Sequence, residues 1–183
     1  PLDLSARGGS EYHMAALDST TVAIISANDD LLITYSFDGT NWSQVGSGFS
    51  LSNLVQGICA LDSTTVIISD SVNNRLEALN WNGSVWTSLG NSSTLTGTQN
   101  LGALATLTSS TFAFWNQHNS TLRTYSWNGS VFAQVGNSLS VSGVYVSVTA
   151  LDNNSIVLAS SSANNLRVYD FDGTNWTQGT PNV

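Results

Sequence analysis

The apolar positions of the chain fall into short runs that return four times in one register. VAII from Val22, VIIS from Val66, FAFW from Phe112 and IVLA from Ile156 are almost unbroken apolar runs. A strand of that kind needs cover on both faces, so each run predicts a strand, B, inside a stack of sheets. The next run alternates instead. Leu166, Val168 and Asp170 fall on one side of a strand C, and Arg167, Tyr169 and Phe171 on the other. A strand A precedes B and leads into Leu17, Leu61, Leu107 and Leu151, while a strand D carries Trp42, Trp86, Phe132 and Trp176. FDGT from Phe37 and Phe171, and WNGS from Trp81 and Trp127, join C to D. Asp-Gly or Asn-Gly between apolar runs predicts a tight type I′ hairpin turn, with positive φ at both central residues.

The turn glycines Gly39, Gly83, Gly129 and Gly173 recur at roughly 45 residues, the spacing of a repeat architecture. Four short antiparallel strands, a Ser-, Thr- and Gly-rich connection and the same again predict an all-β fold, a β-propeller of four blades with four antiparallel strands each. Residues 1–10 read as an N-terminal extension and 11–183 as the propeller, with blades over about 11–50, 51–97, 98–142 and 143–183. A half-ring would leave apolar blade faces in water, so the repeats are expected to close into a ring. Small Ala15, Ala16, Ala60 and Ala150 would let the A strands meet on a narrow axis.

Composition narrows the function. Of 183 residues, 41% are hydrophobic and only 9% charged, against roughly 25% in ordinary soluble domains. Four Lys plus Arg stand against twelve Asp plus Glu, and a net charge of −8 opposes a phosphate backbone, so nucleic acid is excluded as a partner. No run approaches the ~20 apolar residues of a membrane-spanning helix. The chain begins at Pro1 and reads as a processed product or a segment of a larger protein. Scarce Lys with abundant Ser, Thr and Asn predicts an extracellular or virion-surface location.

In a blade of this kind the A–B and C–D turns face one side and the B–C loops the other. The B–C loops vary: ANDD from Ala27, SVNN from Ser71, NQHN from Asn116 and SANN from Ser162. Variable loops on a fixed scaffold are where binding resides. The candidate ligand-binding residues are therefore Asn28, Asp29, Asp30, Asp70, Asn73, Asn74, Trp115, Asn116, Gln117, His118, Asn164 and Asn165, with Arg123 and Arg167 of strand C. Asn and Gln would supply hydrogen bonds to hydroxyls, and Trp115 a stacking face. No catalytic constellation is expected: the carboxylates outside the turns are Asp29, Asp30, Asp70 and Glu77, from two adjacent blades, whereas glycosidase chemistry needs two acids on one cleft. His13 and His118 have no metal-ligand spacing, so neither a metal nor a cofactor is expected, and Cys59 within GICAL reads as a buried thiol.

TLRTYSWNGSVF from Thr121 and NLRVYDFDGTNW from Asn165 resemble the repeats of fucose-binding propeller lectins. The SFDGTNW hairpin from Ser36 resembles the Asp-box of sialidase-type propellers. The lectin resemblance implies sugar held by an Arg, a Glu and aromatic residues between blades. Arg123 and Arg167 match that Arg, while Ile33 and Glu77 take its place in the first two blades. More generally the pattern is similar to tandem propeller repeats of secreted bacterial and bacteriophage proteins. The expected function is a non-catalytic surface binding or attachment module that recognises a glycan. The alternative is a structural or decoration protein of a capsid, fibre or surface layer, with protein neighbours as partners.

Overall fold

The computed structural model describes residues 11–27, 29–51, 55–92, 95, 102–143, 145–160 and 164–179. Its elements are β1 (Tyr12–Ala16), β2 (Thr21–Ser26), β3 (Leu31–Phe37), β4 (Trp42–Ser50), β5 (Val55–Ala60), β6 (Thr65–Asp70), β7 (Arg75–Trp81), β8 (Trp86–Asn91), β9 (Gly102–Thr106), β10 (Thr111–Asn116), β11 (Thr121–Trp127), β12 (Phe132–Ser140), β13 (Tyr145–Ala150), β14 (Ser155–Ser160), β15 (Asn165–Phe171) and β16 (Trp176–Gln178). They form four antiparallel four-stranded sheets in sequence order, the blades of a β-propeller. The strands β1, β5, β9 and β13 stand side by side on the inner edge. The predicted extension, residues 1–10, lies outside the described residues. Among the described residues no helix is long and apolar enough to cross a membrane.

The C–D hairpins are not the two-residue turns expected. Phe37 pairs with Trp42, so the loop holds residues 38–41, and of its residues only Gly39 has positive φ, at +95°. Asp38 instead acts as a side-chain cap. Its Oδ1 accepts from the backbone N–H groups of Thr40 at 2.8 Å and Asn41 at 2.7 Å. Asn82 does the same for Ser84 and Val85. An amide oxygen and a carboxylate oxygen serve equally well as acceptors, which is why Asp and Asn interchange here.

The core lies between blades. Ala23, Ile25 and Leu32 of the first blade pack on Val66, Ile68, Trp81 and Trp86 of the second. Ile67 and Leu76 pack on Phe112, Phe114 and Trp127 in the same way, and Trp115 and Leu122 on Ile156, Leu158 and Phe171. Alternate residues of the central strands thus face the preceding and following blades, which explains why strand B is apolar throughout.

Among the described residues the ring does not close. Leu32, Leu76 and Leu122 are fully buried against the next blade, but their equivalent Leu166 is 46% exposed. Leu151 is 59% exposed where Leu17, Leu61 and Leu107 are buried. On the other flank Met14 is 62% exposed, although its equivalents Ile58, Leu104 and Val148 are buried. Among the described residues, β13 has no packing against β1 comparable to that between the other neighbouring inner strands. The expected closed ring is therefore corrected to an open arc of four blades. The turn from blade to blade is set by the side chains filling each junction, and neither the number of repeats nor the small axial alanines enlarges it.

Candidate functional site

The B–C loops differ in sequence but share one turn. Asp30, Asn74, Ser120 and Asn164 each end their loop in the left-handed region, with φ of 52°, 51°, 51° and 48°. Asn and Asp tolerate that conformation better than most residues. The carbonyl oxygens of Asp30, Asn74 and Ser120 then accept from the backbone N–H of Leu51 at 2.7 Å, Leu95 at 2.6 Å and Val141 at 2.9 Å, tying the outgoing D strand to the loop. These residues shape turns.

Several candidate ligands are used up inside the fold. Asp70, 1% exposed, accepts at Oδ1 from the Asn73 N–H at 3.0 Å and at Oδ2 from Asn73 Nδ2 at 2.7 Å, and it pairs with Arg75 Nε at 3.2 Å. The Arg75 guanidinium also reaches Glu77 at 3.4 Å, and Glu77 accepts from the Ser88 hydroxyl at 2.7 Å. Asn116 is fully buried and accepts from the Asn119 N–H at 3.2 Å. Trp115 is 1% exposed in the core between the third and fourth blades, so the expected stacking face is absent; its rows of neighbours leave no room for a sugar. Asp29 accepts from the Ser26 hydroxyl at 3.1 Å. Gln117, Arg123, Asn165 and Arg167 are half-buried, Arg167 donating to the Ser142 carbonyl at 3.2 Å, while His118 and Asn164 are exposed. Asn28 lies outside the described residues. Of the candidates, the structure joins Asp70 and Asn73, with Arg75 as the partner that sequence reasoning passed over, and spreads the others one loop per blade.

Two concave features among the described residues lie on the inner edge. A cavity of about 240 Å3 is lined by Tyr12, His13, Gln56, Gly57, Ala103 and Ser147 among others, at the ends of the A strands nearest the B–C loops. A second of about 370 Å3 follows toward the A–B turns, lined by Ala15, Ala16, Ala60, Ala105, Thr106 and Thr149 among others. The alanines expected to bring the strands together leave this space. Burial lowers the His13 pKa, and the Glu11 carboxylate 3.5 Å away offsets part of that effect. Burial pushes the Cys59 thiol up to about 12, far from a thiolate at neutral pH. Among the described residues no group of three or more His, Cys, Asp or Glu converges as a metal site.

No family model and no curated protein sequence matches the chain. Solved structures do. The fold is similar to that of a proposed 6-phosphogluconolactonase from Bacteroides fragilis, with a TM-score of 0.70 and 8% identity over 95% of this chain and 55% of that one. A second protein so described, from Bacteroides uniformis, gives 0.71 and 7% over 93% and 54%. A functionally unknown protein from Desulfotomaculum acetoxidans gives 0.67 and 14% over 88% and 58%. The likeness is one of fold. The chain spans little more than half the length of each neighbour.

Proposed function

We propose that the chain is a non-catalytic binding module for a neutral, hydroxyl-rich ligand such as a glycan, taken at the inner-edge cavity that opens beside the B–C loops. The observation that carries this reading is the lining of that cavity: Tyr12, His13, Gln56 and Ser147 offer hydroxyl, imidazole and amide groups, with no Arg or Lys among its described residues. Uncharged donors and acceptors beside apolar walls suit a sugar better than an anion. The location that fits is an extracellular or virion surface, where a rigid scaffold poor in charge would carry the site. Binding across a broad glycan array by the wild-type chain supports the reading, and silence across it, at concentrations that detect millimolar affinity, sinks it.

The names of the two Bacteroides neighbours raise a hydrolytic reading for a phosphorylated sugar lactone. A phosphate group calls for Arg or Lys, and among the described residues neither cavity is lined by one. Arg75 is committed to Asp70 and Glu77. We therefore expect no turnover of 6-phosphogluconolactone above the uncatalysed rate. The structural reading, a building block acting through protein contacts, is favoured by a separate observation, the exposed leucines at the open end of the arc.

A further inference from the structure

The two end faces of the arc differ. On blade four the face carries Val157 and Ala159 of β14 beside Val168 and Leu166 of β15; the first three are half-buried and Leu166 is 46% exposed. A sheet face with nothing laid on it looks like this. On blade one the face carries Ile24 of β2 with Ile33 and Tyr35 of β3, exposed by only 2%, 2% and 7%. Among the described residues these three pack with Tyr12, Val22, Leu31 and Trp42 of their own blade and with no residue of another. Neighbours within one sheet flank a side chain but do not roof it; burial of that depth takes a layer laid on the face. The layer has a footprint. Met14, Ile24 and Ile33 form one row across β1, β2 and β3, yet Met14 is 62% exposed, so the cover sits over β2 and β3 and stops short of the inner edge.

We propose that residues 1–10 of this chain are that cover, an extended strap laid across β2 and β3 of blade one. Leu2 and Leu4 alternate with Asp3 and Ser5, so an extended PLDLS has one apolar and one polar side. Gly8-Gly9 supplies the reversal between that stretch and β1. The segment joins the blade at its B–C corner, where the Glu11 carbonyl accepts from the Ala27 N–H at 3.3 Å. From β1 to β3 is two strand spacings, about 10 Å, and residues 1–7 fully extended reach about 23 Å. Residues 52–54 connect Leu51 to β5 of the second blade, and the remaining undescribed stretches, Asn28 apart, join elements of later blades. The strap makes blade one a finished end, as a capping unit does in a repeat array, and leaves the leucines of blade four as the arc's open face.

Hydroxyl-radical footprinting of the full 183-residue chain, read at single tyrosines by mass spectrometry, tests this without any ligand. Tyr125 is the internal reference: it is 7% exposed like Tyr35, but its cover is the junction between the second and third blades. The wild-type chain is expected to protect both rings equally. Leu2→Asp combined with Leu4→Asp raises labelling of Tyr35 several-fold and leaves Tyr125 and the circular dichroism of the folded chain unchanged, while Asp3→Asn, on the polar side of the strap, changes neither ring. Leu4→Ala alone gives the same rise in smaller measure, so a double variant that fails to fold, seen as labelling of Tyr125, still leaves a reading. Free labelling of Tyr35 in the wild type, or equal protection of it in the leucine variants, overturns the proposal. Protection of Tyr35 that grows with protein concentration overturns the strap within one chain, since the cover then comes from a second copy.

Discussion

Trp86 Nε1 donates a buried hydrogen bond of 2.9 Å to Thr34 Oγ1, joining the second blade to the first. At the next junction the equivalent positions hold Phe132 and Ala78, packed in one apolar cluster. The polar pair and the apolar pair are two solutions to one packing problem: either the indole N–H has its acceptor, or neither group is present. At the third junction Trp176 and Thr124 return, but Trp176 Nε1 and Thr124 Oγ1 are buried without a hydrogen bond.

Removing only the acceptor leaves a buried donor unmatched, which costs about 1–3 kcal/mol. Thr34→Ala is expected to lower stability by that amount in urea unfolding. Combined with Trp86→Phe it recreates the Ala78–Phe132 pairing, so the double variant regains part of the loss. Additive losses would show that the bond carries no coupling. Thr124→Val, which removes a hydroxyl that bonds to nothing in this structure, is expected to be neutral or stabilising.

Two turn glycines separate local strain from contact between blades. At Gly39, with φ of +95°, an added Cβ meets nothing within 4 Å, so Gly39→Ala pays conformational strain alone, about 1–2 kcal/mol. At Gly46, with φ of +67°, the Cβ would fall 1.9 Å from the Ser84 carbonyl oxygen of the next blade, which also accepts from the Ser47 N–H at 3.0 Å. Gly46→Ala is expected to unfold the chain or separate the first two blades. Equal midpoints for the two variants in thermal unfolding would contradict this distinction.

Acid should weaken the fold through its turns. The backbone N–H groups of Asn41 and Thr40 hold Asp38 below its ordinary pKa, and those of Asn175 and Thr174 hold Asp172 likewise. A carboxyl whose folded pKa is depressed stabilises the fold above its unfolded pKa, and that contribution is lost as pH falls through the folded value. His13, whose pKa burial lowers from 6.5, acts in the same direction at a higher pH, since below that value the unfolded state takes up the proton more readily. Asn82 and Asn128 cap the same turn without titrating. Asp38→Asn with Asp172→Asn is therefore expected to keep the neutral-pH melting temperature and to flatten its decline below about pH 4. An unchanged decline would remove these caps from the account.

Cys59, with its thiol pushed up to about 12 and its side chain buried, should resist a disulfide reagent at neutral pH until the chain unfolds. Labelling as fast as that of a free thiol would place it in solvent.

What was legible in the sequence was local. The leucines at 17, 61, 107 and 151, and at 32, 76, 122 and 166, mark the strands because burial on both faces writes itself into each repeat. The open ring was not legible, since Leu151 and Leu166 look identical in sequence to their buried counterparts; the angle between sheets decides their exposure. The site is less legible. Asp70 and Asn116 carry the groups that a sugar would need, but the same groups cap turns, and sequence does not separate an acceptor facing the backbone from one facing solvent. Trp115 follows an alternation that assigns it to the core once the direction of the preceding strand residues is known. The larger inner-edge cavity comes from what alanine lacks: the small side chains that in sequence suggest close approach of the strands leave space instead.

Affinity measured on two sets of variants separates the inner-edge cavity from the loops as the binding site. Using a glycan selected from the array, isothermal titration of Gln56→Ala and His13→Ala is expected to give at least a tenfold loss, while Asn73→Ala and His118→Ala bind as the wild type does. Loss in the loop variants with none in the cavity variants would contradict the account and return binding to the B–C loops.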